Sequence, residues 1–84
     1  MEGRLIKGTI TISDAVVENN DENLSYQDKL ETCLVDMCKA LGISVPLWLK
    51  KNTKEFVNFR RTFFNSEQFT EKVHFDRFEI RILR

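Results

Sequence analysis

The sequence predicts an α+β fold: a small, mainly antiparallel sheet that includes the N- and C-terminal strands, packed against one long helix and one or two short helices. Three observations predict it. Both ends of the chain alternate apolar and polar residues with period two, over Arg4–Ser13 and Arg77–Leu83. That is the pattern of half-buried strands. Between them, Tyr26, Leu30, Cys33, Leu34, Met37 and Leu41 recur at steps of three and four, the apolar stripe of an amphipathic helix. With 84 residues, the chain has room for one core, so residues 1–84 are expected to form a single domain.

The first strand is expected over Arg4–Ser13, with Ile6, Ile10 and Ile12 on one face beside Gly8, and Lys7, Thr9, Thr11 and Ser13 on the other. A glycine inside a strand suggests a bulge or a close neighbour. Asp14 is read as opening a turn, from which Ala15–Glu18 returns as a short second strand. The polar run Asn19–Asn23 is a loop. Ser25 is placed to cap the long helix with its hydroxyl. Gly42 is placed to end it in the left-handed conformation.

Pro46 suits the first turn of a second, short helix over Leu47–Asn52, because its ring fixes a helical φ and its missing N–H is not needed there. Thr53 would cap a further turn holding Phe56 and Phe59. Arg61–Phe64 reads as extended, and Ser66 as the cap of a single turn that buries Phe69. In the last strand Phe78, Ile80 and Ile82 point one way and Arg77, Glu79 and Arg81 the other. Pairing with the first strand is expected, since each must bury one face.

Composition bounds the chemistry. Apolar residues make up 42% and charged residues 31% of the chain, a globular balance rather than a disordered one. Seven Phe, one Trp and one Tyr supply the large buried areas that a small core needs. No apolar run approaches membrane-spanning length, and Met1–Ile6 lacks the apolar stretch of a signal peptide. The two cysteines, Cys33 and Cys38, lie about 140° apart on a helix at about 100° per residue. They are read as free thiols in a reducing cytoplasm rather than as a disulfide.

Net charge is zero, but it is divided. From Met1 to Val45 there are 4 basic and 8 acidic residues, giving −4; from Pro46 to Arg84 there are 9 basic and 5 acidic, giving +4. The division either neutralises across the fold or marks a bipolar surface that favours head-to-tail contact or an acidic partner.

No catalytic, cofactor or metal site is recognisable. The only histidine, His74, shares a strand face with Asp76, but the sequence places no nucleophile beside it. Asp14, Glu18, Asp21 and Glu22 do not match a calcium loop, and the three glycines, Gly3, Gly8 and Gly42, are too scattered to cradle a phosphate. One segment stands out. Residues 46–64 interleave aromatics with cations, and Trp48, Lys50, Lys51, Lys54, Arg60 and Arg61 form the candidate binding surface. Cations track phosphates and aromatic faces stack on unpaired bases. The same aromatics also fit a buried helical face, with the charges solvated around it.

The second half carries Pro46-x-Trp48-Leu49-x-Lys51-Asn52, Glu55-Phe56-x-x-Phe59, Arg61-Thr62-x-Phe64 and Phe69-x-Glu71-x-Val73-x-Phe75-Asp76-Arg77-Phe78-Glu79-Ile80. With Gly8-Thr9-Ile10-Thr11 near the start, these resemble a family of short bacterial proteins of no known function. The resemblance spans nearly the whole chain. It implies a bacterial, cytoplasmic, stand-alone domain and brings no activity, cofactor or partner. The expectation is therefore a small non-enzymatic interaction module with a protein partner or a second copy of itself. Nucleic-acid binding through residues 46–64 is the alternative.

Overall fold

The computed structural model describes residues 1–82. Its elements are β1 (Glu2–Lys7), β2 (Ile10–Val16), α1 (Tyr26–Leu41), α2 (Lys50–Phe59), β3 (Arg61–Asn65), a 3-10 turn (Ser66–Gln68) and β4 (Arg77–Arg81). The four strands form one sheet in the order β2-β1-β4-β3, and every neighbouring pair is antiparallel. The N- and C-terminal strands pair at its centre, as expected, with Leu5 opposite Phe78 and Gly3 opposite Ile80. Leu83 lies outside the described residues, and β4 ends at Arg81.

The N-terminal expectation needs correction. Arg4–Ser13 is not one strand but most of a hairpin, whose turn falls at Gly8 and Thr9. Gly8 has φ +63°, a conformation that glycine adopts without a Cβ clash. The Asp76 carboxylate accepts the Gly8 N–H and fixes the turn. Asp14 belongs to β2 rather than to a turn; Ala15 and Val16 lie in that second strand as expected, but it starts at Ile10 and ends at Val16. The register shifts between Leu5, opposite Ser13, and Ile6, opposite Thr11, so Ile12 is an extra residue in a bulge. The three isoleucines therefore do not share a buried face: Ile6 is buried, while Ile10 and Ile12 are 66% and 42% exposed.

α1 follows the sequence closely. The Ser25 hydroxyl accepts the Asp28 N–H at 3.2 Å, and Gly42 ends the helix at φ 71°, with its N–H bonded to the Lys39 carbonyl at 3.2 Å. Cys33, Leu34, Met37 and Cys38 enter the core. They meet Leu5, Phe64, Phe78 and Ile80 from one face of the sheet, together with Phe56 of α2 and with Phe69 and Phe75. Burying such a side chain fully contributes about 1.5–3 kcal/mol. Gly3 sets how closely α1 approaches. A Cβ built there would lie 2.7 Å from Met37 Sδ and 3.0 Å from Phe78 Cε1. Both helices cover this face, and the opposite face of the sheet stays open, carrying Glu2, Arg4, Phe63, Glu79 and Arg81.

Candidate interaction surfaces

Residues 46–64 are organised by a buried polar network that the sequence did not reveal. Asn52 is wholly buried. Its side-chain oxygen accepts the Leu49 N–H at 2.9 Å and a Gln68 amide hydrogen at 3.0 Å. Its nitrogen donates to Thr62 Oγ1 at 2.8 Å and to the Phe63 carbonyl at 2.9 Å. All four hydrogen-bonding places of the amide are filled, as burial demands. The Thr62 hydroxyl in turn donates a hydrogen bond to the Glu55 carboxylate at 2.7 Å. Gln68 also donates to the Leu47 carbonyl at 2.9 Å and accepts the Asn65 N–H at 3.0 Å.

This network corrects the second expected helix. Leu47 is held from both sides, its N–H bonded to the Gln68 carbonyl at 2.7 Å and its carbonyl to the Gln68 amide. A segment bound in that way cannot wind into a helix, so Pro46 lies buried in an irregular approach and α2 begins only at Lys50. Asn52 caps it from its third position. Thr53 is not a cap: its hydroxyl accepts the Trp48 indole N–H at 2.7 Å from within α2. Arg60 ends the helix at φ 57°, and its carbonyl accepts the Ile82 N–H at 3.0 Å.

The six candidate residues are divided by this arrangement. Trp48 is half-buried, with its ring 6.0 Å from Phe56 and 5.7 Å from Phe64. Phe64 in turn lies 5.6 Å from Phe78. Lys50 and Lys54, one helical turn apart, are exposed on α2. Lys51 turns toward β3 and lies 4.5 Å over the Phe63 ring. Arg60 is exposed at the helix end, and Arg61 stands on the open face of the sheet. The segment is therefore part core and part surface, and its cations do not form one stripe.

Among the described residues, two concave surfaces involve this segment. The first is an apolar groove of about 510 Å³ between α1 and α2, walled by Tyr26, Leu30, Leu34, Val45, Trp48 and Val57. Tyr26 and Val57 are 68% and 75% exposed. Among the described residues Glu31 is the one charged side chain that lines it. The second is a cleft of about 490 Å³ on the open sheet face, where Phe59 and Phe63 lie among Arg4, Arg61 and Arg81. Its charge is mixed. Glu2 bridges Arg4 at 3.3 Å and bonds Arg81, and Arg77 pairs with Glu79 at 3.3 Å. The Arg81 hydrogen bond, helped by the charge of Arg4, holds the Glu2 carboxyl below its usual range against a smaller opposing effect of desolvation.

His74 packs edge-on against Phe75 at 5.5 Å, and the Asp76 carboxylate is engaged by Gly8. Cys33 and Cys38 are free and buried. Burial pushes the Cys38 thiol up to about 11. Among the described residues no group of three or more His, Cys, Asp or Glu is placed to hold a metal ion. Among the same residues no helix is long and apolar enough to cross a membrane. Compared with family models, curated proteins and solved structures, the chain has no match.

Proposed function

We propose that this chain is a small non-enzymatic interaction module whose groove between α1 and α2 receives an amphipathic helix from a protein partner. The observation that carries the reading is the groove itself. Leu30, Leu34 and Trp48 form its floor and walls, while Tyr26 and Val57 stand exposed at its rims. Apolar grooves between helices take the apolar face of an incoming helix, anchored at spacings of three and four residues. Glu31, the one charge that the described residues place along the groove, favours an incoming segment that carries a basic residue beside its apolar face. The two unpaired, buried thiols fit a chain that works in a reducing cytoplasm.

A photo-crosslinking side chain in place of Val57, used in the native cell, tests this. The expected adduct is a protein, joined through an apolar segment that bears a basic residue. The same segment, synthesised, should shift the amide signals of Leu30, Leu34 and Glu31. Adducts with no common segment, or a synthetic segment that shifts nothing, would contradict the reading.

Nucleic-acid binding is the second reading, and the open sheet face favours it more than α2 does. Phe59 and Phe63 offer rings beside Arg4, Arg61 and Arg81, the combination that stacks and neutralises single strands. Trp48 and Phe56 spend their faces on the core, and Glu2, Glu55 and Glu79 oppose a polyanion in the cleft. Titration with single-stranded oligonucleotides decides. Salt-sensitive shifts at Phe59, Phe63 and Arg61 would support it; none at low salt would exclude it.

A further inference from the structure

The two edges of the sheet are treated differently. On β3, the Phe63 carbonyl is taken by Asn52 and the Asn65 N–H by Gln68. That edge is partly covered by the chain itself. β2 has no such cover. The Val17 N–H bonds the Met1 carbonyl at 2.9 Å, and the Met1 nitrogen bonds the Val17 carbonyl at 2.8 Å. Val17 and Met1 are thus a hydrogen-bonded pair. Alternation along an antiparallel ladder makes Ala15 and Gly3 the next such pair. The N–H and C=O groups of Val16 and Asp14 must then point away from β1. Among the described residues no hydrogen bond reaches them.

An open strand edge is a template for another strand. Proteins that keep such an edge single place lysine or proline on it, and β2 contains neither; Asp14 is its one charge. Its bulge lies at Ile12, outside the stretch Ser13–Val17. That stretch is unusually selective about registers in which it meets itself. With Asp14 opposite Asp14, two carboxylates face each other. With Val16 opposite Val16, Asp14 faces Glu18. With Ala15 opposite Ala15, each Asp14 faces a Val16, no like charges are opposed, and the outward groups of both residues meet their counterparts. Like charges directly opposite are destabilising, so the third register is the favoured one. Small Ala15 sits on the two-fold axis, where a non-hydrogen-bonded pair brings side chains closest.

We infer that β2 pairs antiparallel with β2 of a second copy of this chain, about a two-fold axis through Ala15, to make a continuous eight-stranded sheet. Asp14 and Val16 exchange both backbone bonds with Val16 and Asp14 of the other copy, four bonds in all. The pairing is isologous, as a two-fold axis requires. A strand edge alone is a small interface, so the dimer is weak and concentration-dependent. This inference rests on the reading of the chain as an interaction module, but it uses a surface separate from the groove, which a helix can occupy in monomer or dimer.

Sedimentation equilibrium from micromolar to millimolar concentration tests it, on the intact chain and four variants. The wild type should show a reversible monomer–dimer equilibrium. Val16→Pro removes an outward N–H from each copy without touching the β1 ladder, and should weaken the dimer about tenfold or more. Val16→Lys sets a cation opposite Asp14 of the other copy and should tighten it roughly threefold, while Val16→Glu should weaken it by a similar factor. Position 16 is 59% exposed, so the last two variants leave the monomer folded even if proline does not. Val57→Lys should leave the dimer unchanged. A wild type that stays monomeric at millimolar concentration overturns the inference. So does a dimer whose strength ignores the sign of charge at position 16, or one that Val57→Lys breaks. The crosslinking from position 57 is unaffected by any of these outcomes.

Discussion

Asn52 and Gln68 stand 16 residues apart in the chain, and the Gln68 amide donates a buried hydrogen bond of 3.0 Å to the Asn52 side-chain oxygen. With the further bonds of the two amides, it joins α2, β3, the 3-10 turn and the irregular approach through Pro46 into one unit. Trp48, between Leu47 and Leu49 of that approach, walls the groove.

Asn52→Leu should therefore cost about 2–4 kcal/mol. It leaves Thr62, Gln68 and the Phe63 carbonyl short of partners in a site closed to water. Urea unfolding measures it. A loss below about 0.5 kcal/mol would mean that the network relaxes to water instead. The Trp48 emission should shift in the folded variant, because the start of α2 loosens beside it.

Gly3→Ala tests the close approach of α1. Alanine ordinarily stabilises a strand relative to glycine. Here its Cβ meets Met37 and Phe78, and overpacking reverses the sign to a loss of about 1–3 kcal/mol. Met37→Ala in the same chain should recover part of that loss, so the two changes should be non-additive. Additive costs would show that the helix stands further off.

Titration of the Glu2 carboxyl by NMR should give a midpoint below the ordinary glutamate range. Arg81→Gln should raise it more than Arg4→Gln does. Since folding lowers this pKa, the stabilisation is present above the unfolded value and is lost as pH falls through the folded one. An ordinary midpoint in the native chain would remove the bridge between β1 and β4.

Cys38 behaves in the opposite sense. Burial raises its thiol to about 11, so its contribution is complete below the ordinary thiol range and is lost as pH rises toward about 11. At neutral pH it should alkylate only when the fold opens, at a rate that denaturant increases. Rapid labelling of the native chain would place the side chain at the surface.

What the sequence made legible was local. Ser25 and Gly42 sit at the ends of the stripe they cap, and α1 was found with both boundaries. The C-terminal strand announced its buried face through Phe78 and Ile80, whereas the core face of β1 is carried by Gly3 and Leu5. The hairpin was misread because β-branched residues run on from Thr9 to Ile12 past Gly8, and the turn depends on Asp76, a residue 68 positions away. Asn52 and Gln68 look like surface residues until the fold brings them together, so the delayed start of α2 had no sequence signal. An asparagine three positions after an apolar Leu49 is the nearest thing to one. For the candidate surface, the spacing of Trp48, Phe56, Phe59 and Phe63 fitted one buried helical face, but only Phe56 and Phe59 lie on α2, Phe59 is exposed and Phe63 belongs to β3; nor could spacing say which cations shared their side. Lys50 and Lys54 stay on the outside of α2, whereas Lys51 and Arg61 turn to the sheet.

The proposed partner would sit in the groove between α1 and α2 and not on the basic side of α2. Crosslinking from positions 57 and 54 in parallel tests it most directly, since the two lie one helical turn apart, with Val57 lining the groove and Lys54 outside it. A partner in the groove gives a single protein adduct from position 57, several-fold stronger than any from position 54, and weakened when Tyr26→Asp places a charge on the opposite rim. Equal yields from both positions, or nucleic-acid adducts from position 54, would contradict it.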